Sequence, residues 1–130
     1  MTLLPPRSLV YIVEDDEPVR KALILLIESY GASTLAHDSA EEFLRFRKRL
    51  LPITRPSCMV VDLHLNGLNG AQLLEHMRGD LPRLPVIILT AYASSPLAGQ
   101  ALKLGALNVL EKPVDSAALL SAITDALTGR

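Results

Sequence analysis

Tryptophan is absent from the 130 residues, aromatic residues make up only 4%, and there is a single cysteine. With so few rings, aliphatic side chains must build the core, and a hydrophobic share of 49% supplies them. A lone cysteine, Cys58, excludes an intrachain disulfide and a cysteine-based metal site, and it reads as a small core residue in a reducing compartment. Charge of one sign is also missing. The formal net charge of -1 creates no field that would draw in nucleic acid or an anionic membrane. No long apolar run exists either: the longest aliphatic stretch, Ala22 to Ile27, is far short of the ~20 residues that span a bilayer. Met1 to Arg7 has no basic region ahead of an apolar stretch, and Pro5 and Pro6 would break one early. These absences predict a soluble, cytoplasmic protein without membrane contact or direct nucleic-acid binding by this chain.

What the sequence has is regular alternation. A chain of this length forms one domain with one sizeable core, expected over residues 8–128 behind an N-terminal tail of residues 1–7. Cys58-Met59-Val60-Val61-Asp62 is an unbroken apolar run ending in an acid, the pattern of a strand buried on both faces of a parallel sheet. Leu9 to Val13 is a first strand of the same kind. It is followed by four acids, then by Pro18 near the start of a helix, with Val19, Ala22, Leu23, Leu26, Ile27 and Tyr30 at helical spacing and Gly31 as its stop. Ile24 and Leu25 widen that apolar face, which is expected to pack against a neighbour.

The remaining elements follow in order. Residues 33–36 form a short second strand, and Ser39 with Glu42 has the spacing of a reciprocal capping box at the start of a second helix. Phe43, Leu44, Phe46 and Leu50 give that helix an apolar side. Arg45, Arg47, Lys48 and Arg49 at its end read as a solvated face that complements the helix dipole. A proline-bearing loop over residues 51–56 leads to the strand of residues 57–61. A third helix runs from Gly70 to near Gly79, a fourth strand over residues 85–89 ends at Thr90, and Ser95-Pro96 opens a fourth helix that stops at Gly105. Gly99 within that helix costs about 1 kcal/mol relative to alanine. A fifth strand over residues 107–111 turns at Lys112-Pro113 into a last helix, Asp115 to Leu127.

Five such units predict an α/β fold of flavodoxin-like type: a doubly wound, five-stranded parallel sheet with five helices and right-handed crossovers. In the common strand order 2-1-3-4-5 the first and third strands flank the topological switch point, where ligands bind beyond the strands' carboxyl ends. That order gathers Asp15, Asp16 and Asp62 at one crevice, with Thr90 and Lys112 ending the next two strands. Each residue alone has an ordinary structural explanation; their joint placement is the functional signal. A flavodoxin-like cofactor binder would need a Gly/Ser/Thr-rich phosphate loop where this chain has four acids. A phosphohydrolase with an aspartyl intermediate would carry Asp-x-Asp on the first strand, and neither Asp15 nor Asp16 has an aspartate two residues later.

The acids of Val13-Glu14-Asp15-Asp16, the strand-terminal Asp62, Thr90-Ala91, and Lys112-Pro113 after Gly105-Ala106 together resemble the receiver domain of two-component response regulators. The segment Thr90 to Ala106, with Pro96 six residues past the threonine, is similar to receivers of FixJ-type regulators, and the resemblance covers residues 8–127. It implies a CheY-like fold and a phosphoacceptor at Asp62 that takes a phosphoryl group from a sensor histidine kinase. It also implies a Mg²⁺ site, with Mn²⁺ as a substitute. The metal ligands would be Asp16 and Asp62 directly, Asp15 through water, and the backbone carbonyl of His64. Thr90 and Lys112 would bind and neutralise the transferred group. Such a domain is not an enzyme beyond its own phosphorylation and dephosphorylation.

The output side departs from the family pattern. Val109 stands where an aromatic switch residue is usual, three positions before Lys112, and Asn108 stands where an acid is frequent. Asn66 replaces a common proline after the phosphoacceptor strand, which is expected to loosen that loop without touching the chemistry. His64 and Tyr92, two residues past Asp62 and Thr90, occupy positions that tune phosphoryl hydrolysis in the family, or are simply loop residues. His37 and His76 show no metal-ligand spacing and are expected at the surface. The signal would leave through the face made by the fourth helix, fifth strand and fifth helix, and a phosphorylation-dependent homodimer through the fourth helix and fifth strand is an expected partner state. The sequence contains no output domain after Gly129-Arg130, so it reads as a stand-alone receiver or as the excised N-terminal part of a DNA-binding transcription factor. A catalytically silent receiver serving as an interaction module is the other alternative.

Overall fold

The computed structural model describes residues 3–49, 54–80 and 83–129. Its strands are β1 (Leu9–Val13), β2 (Ser33–His37), β3 (Ser57–Asp62), β4 (Val86–Thr90) and β5 (Asn108–Glu111). Its helices are α1 (Glu17–Ser29), α2 (Ala40–Phe46), α3 (Gly70–His76), α4 (Pro96–Lys103) and α5 (Ser116–Thr128). The strands form one parallel sheet in the order β2-β1-β3-β4-β5, the expected topology.

Period-two alternation along the central strands explains why both faces of the sheet are apolar. Tyr11, Val13, Met59, Val61 and Ile88 point to one side, where Phe43 of α2, Leu73 and Leu74 of α3, and Ala98 and Ala101 of α4 cover them. Val10, Ile12, Cys58, Val60, Ile87 and Leu89 point to the other, beneath Leu23 and Ile27 of α1 and Leu119, Ala122 and Ile123 of α5. Each large aliphatic side chain fully buried this way contributes about 1.5–3 kcal/mol. Cys58 is buried, and its environment pushes the thiol up to about 12, so it serves as core and not as a nucleophile. Leu4 is also buried, and its N–H donates to the Tyr30 carbonyl at 2.8 Å, tying residues just ahead of β1 to the end of α1.

Several local expectations change. Ser39 caps α2 through the Glu42 N–H at 3.0 Å, but the Glu42 side chain turns to His37 Nδ1 at 2.9 Å, so the box is only half closed. The complete box is at Asn69 and Gln72, opening α3. His37 is not a surface residue: its ring lies between those of Phe43 and Phe46, with centroids 5.6 and 6.2 Å away. Phe46 is partly exposed, and Arg49 lies 5.4 Å over its ring. Of the cations closing α2, Arg47 is engaged, donating to Asp80 Oδ2 at 2.6 Å and to the His76 carbonyl at 2.9 Å. The Lys48 side chain, Leu50 and residues 51–53 lie outside the described residues. Leu25 is 71% exposed, so the apolar width of α1 is not consumed by packing as expected. The third helix ends at His76 and continues only as a 3-10 turn, Arg78–Asp80.

Candidate functional site

The carboxyl ends of β1, β3, β4 and β5 converge on one edge of the sheet, and register sets what meets there. Val13 pairs with Val61, Asp62 with Leu89, and Thr90 with Glu111. The residues just beyond β1 therefore face Asp62, and Lys112 follows Glu111 past Thr90, held by its N–H to the Thr90 carbonyl at 2.8 Å. At the start of α3, a Cβ on Gly70 would come within 3.0 Å of the Leu63 Cα and 3.1 Å of the Asp62 carbonyl. Glycine thus lets α3 approach the backbone of β3 this closely, where any side chain would crowd it.

Three carboxylates, those of Glu14, Asp15 and Asp62, offer oxygens within 4.8 Å of one another. Glu14 was not anticipated as a site residue, and Asp16, which was, lies outside this group. The first acid after β1 turns inward: Glu14 is 1% exposed, continues the β1 pairing through its N–H to the His37 carbonyl, and receives Lys112. Asp16 is exposed and serves as N-cap of α1, accepting from the Val19 N–H at 3.3 Å. The signal that could have separated them is Pro18: counting back from an early-turn proline puts the cap at Asp16, whose side chain turns to the start of α1. The pair facing the site is Glu14 and Asp15.

Lys112 is shared between two acids. Its Nζ lies 3.0 Å from Glu14 Oε1 and 3.4 Å from Asp62 Oδ2. Burial pulls this ammonium toward neutrality, but the bond to Glu14 and the charge of Asp62 outweigh it and hold its pKa above the ordinary lysine value. Glu14 behaves oppositely to most paired acids: burial pushes its carboxyl up to about 7, aided by the Asp62 charge and opposed by Lys112. With Glu14 ionised, three carboxylates against one ammonium leave two negative charges, which matches one divalent cation. An all-oxygen donor set with few protein ligands suits a hard cation that keeps waters, and the acidic cluster therefore fits a metal ion.

The other expected residues sit around this cluster. Thr90 is fully buried, and its Oγ1 accepts the Tyr92 N–H at 3.1 Å. The His64 N–H donates to Asp62 Oδ1 at 3.2 Å. The rings of His64 and Tyr92 meet edge to face with centroids 6.3 Å apart, joining the loops after β3 and β4. Val109 is half-buried and packs against the core on the α4 side.

A family model described as the response regulator receiver domain matches residues 10–124. The transcriptional regulatory protein FixJ of Azorhizobium caulinodans is 38% identical over 123 residues, covering 94% of this chain and 56% of that protein. FixJ of Rhizobium meliloti is 37% identical over 115 residues, covering 88% and 54%. The chain thus spans about half the length of the curated relatives it matches. Among solved structures, FixJ-N superposes with a TM-score of 0.82 at 35% identity, covering 97% of this chain and 98% of that one. Full-length FixJ from B. japonicum gives 0.81 at 33% identity, covering 95% and 59%.

Proposed function

This chain belongs to the response regulator receiver domain family of two-component signalling, and from that premise we propose that Asp62 is its phosphoacceptor in a reaction requiring Mg²⁺ or Mn²⁺. The observation that carries the reading is the juxtaposition of Asp62 with Glu14, Asp15 and Lys112 at one sheet edge. The donor is the phosphohistidine of a sensor histidine kinase. An Asp62 oxygen attacks phosphorus, the P–N bond breaks with its electron pair returning to the imidazole, and an acyl phosphate results.

Asp15, Glu14 and Asp62 would hold the metal, with the His64 carbonyl as a further ligand, and a cation bound there would supply positive charge against the transferred phosphoryl oxygens. Lys112 moves its hydrogen bonding from the acids to a phosphoryl oxygen, and the Thr90 hydroxyl binds another. His64 and Tyr92 stand over the product and slow its hydrolysis. The domain has no substrate other than its own aspartate, and it lies in the cytoplasm with its kinase.

Output through α4, β5 and α5 belongs to the same reading. Leu102 and Leu107 are about half exposed beside the β5 edge, which supports a phosphorylation-dependent homodimer through α4 and β5. Control of transcription is the proposed role of the whole regulator, following the names of its relatives. Incubation with a small-molecule phosphodonor and Mg²⁺, read by intact mass, tests the function: one phosphoryl adduct that vanishes in Asp62→Asn and in excess chelator is expected. No adduct would instead favour a silent interaction module.

A further inference from the structure

The loop from β3 to α3 is expected to be slack where Asn66 replaces proline, but the structure shows it pinned. Three alternate backbone N–H groups each donate to a carboxylate. His64 donates to Asp62 Oδ1 at 3.2 Å, Asn66 to Asp15 Oδ2 at 2.9 Å, and Leu68 to Glu41 Oε2 at 3.0 Å on the first turn of α2. Between the last two, Gly67 has φ 77°, and a Cβ there would run into the Glu41 carboxylate. The far end is closed by the Asn69–Gln72 box. Among the described residues, the Asn66 N–H is the hydrogen bond that the Asp15 side chain makes.

We propose that Asn66 is a positioning residue for the cation site, its backbone N–H fixing the Asp15 carboxylate toward Glu14 and Asp62. A proline at this position has no such donor. Asp15 is half-buried at the mouth of the crevice, so its carboxylate would otherwise turn freely toward water. An N–H donating to a carboxylate is a charge-assisted bond, and partners that orient a metal ligand typically change affinity by roughly 10- to 100-fold. The Glu41 contact supports the same geometry from the other side by holding Leu68, which limits how far the Asn66 peptide can move.

The inference rests on the metal reading given under Proposed function, and its test separates the two. Mg²⁺ titration by calorimetry compares the native protein with Asn66→Ala, which keeps the N–H, and Asn66→Pro, which removes it. Affinity in Asn66→Ala should stay within about twofold, while Asn66→Pro should lose roughly tenfold. Equal binding by Asn66→Pro, or an equal loss in Asn66→Ala, overturns the role of the N–H alone. Absence of Mg²⁺ binding in the native protein overturns the metal reading as well. Should Asn66→Pro fail to fold, amide hydrogen exchange in the metal-free native protein decides. A slowed Asn66 N–H that becomes fast in Asp15→Ala supports the inference, and an unprotected Asn66 N–H overturns it.

Discussion

Lys112 donates to Glu14 Oε1 at 3.0 Å, a bond between residues 98 positions apart that ties the end of β5 to the end of β1. The ammonium is nearer to this acid than to Asp62, at 3.4 Å, so under the proposed function the group that would bind a phosphoryl oxygen starts out engaged by a second carboxylate. Site assembly and charge balance are therefore one problem.

Lys112→Ala should expose that balance. It leaves Glu14 buried beside Asp62 with no cation, and a buried acceptor left without its donor costs about 1–3 kcal/mol. Adding Glu14→Gln should return most of the loss, because the stranded charge is then gone. A double-mutant cycle by urea denaturation at pH 8 checks this, with equal losses in the single and double variants counting against it.

Stability of the metal-free protein should fall as pH rises from about 4.5 to about 7. Glu14 is raised in the fold from 4.5 to about 7, first by burial and then by Asp62. Its contribution is fully present below the unfolded value and is lost as pH climbs through the folded one, since ionisation is harder in the native state. Urea midpoints between pH 4.5 and 8 in chelator should show the decline, and Glu14→Gln should flatten that part of the curve.

How much of this was legible in the sequence differs by kind of residue. Strand order, both core faces and the placing of Asp62, Thr90 and Lys112 follow from apolar runs and from the switch-point rule, which depend on whole segments and tolerate a shift of one residue. The acids after β1 do not tolerate it. Glu14, Asp15 and Asp16 are consecutive, and which of them faces the crevice depends on where β1 ends and α1 is capped, a difference of one peptide. Glu42 was ambiguous for a similar reason: its spacing from Ser39 suited a box, but His37 at the end of β2 offered a better-placed partner. Leu25 lies off the period carried by Leu23, Leu26 and Ile27, and it stays exposed where packing against a neighbour was expected.

Asp15 and Asp16 should separate cleanly on substitution. Asp16→Ala removes a helix cap and should cost about 0.5–1 kcal/mol while leaving Mg²⁺ binding within a factor of about two. Asp15→Ala removes an oxygen ligand from the cluster and should abolish measurable Mg²⁺ binding at millimolar metal with little loss of stability. Calorimetric titration and thermal melts of the two variants make the comparison; the reverse pattern would return the metal role to Asp16.

His64 and Tyr92 should lengthen the life of the acyl phosphate. Their rings meet edge to face and join the loops that follow Asp62 and Thr90, and under the proposed function a phosphorus covered by them is harder for water to reach. His64→Ala and Tyr92→Ala should each speed dephosphorylation several-fold, with the double variant no faster than the sum of a shared contact predicts. Phosphoprotein decay after donor removal measures it, and unchanged lifetimes would mark both as plain loop residues.

Gly99 offers the last test, that of the proposed output through α4 and β5. It lies inside α4, where an added Cβ meets nothing within 4 Å, so alanine brings helix propensity without a clash. Gly99→Ala should stabilise the protein by about 0.5–1 kcal/mol. Val109, half-buried and packed against the core cluster that holds Ala98 and Ala101 of α4, has one χ angle and no long ring to swing, so under the proposed output a change at Thr90 would reach the surface by shifting α4 itself. Stiffening α4 should then shrink the amide chemical-shift changes that a phosphoryl mimic produces across α4 and β5, while leaving the phosphorylation rate unchanged. Full-size shifts in a stabilised Gly99→Ala would show that the signal does not depend on the pliancy of this helix.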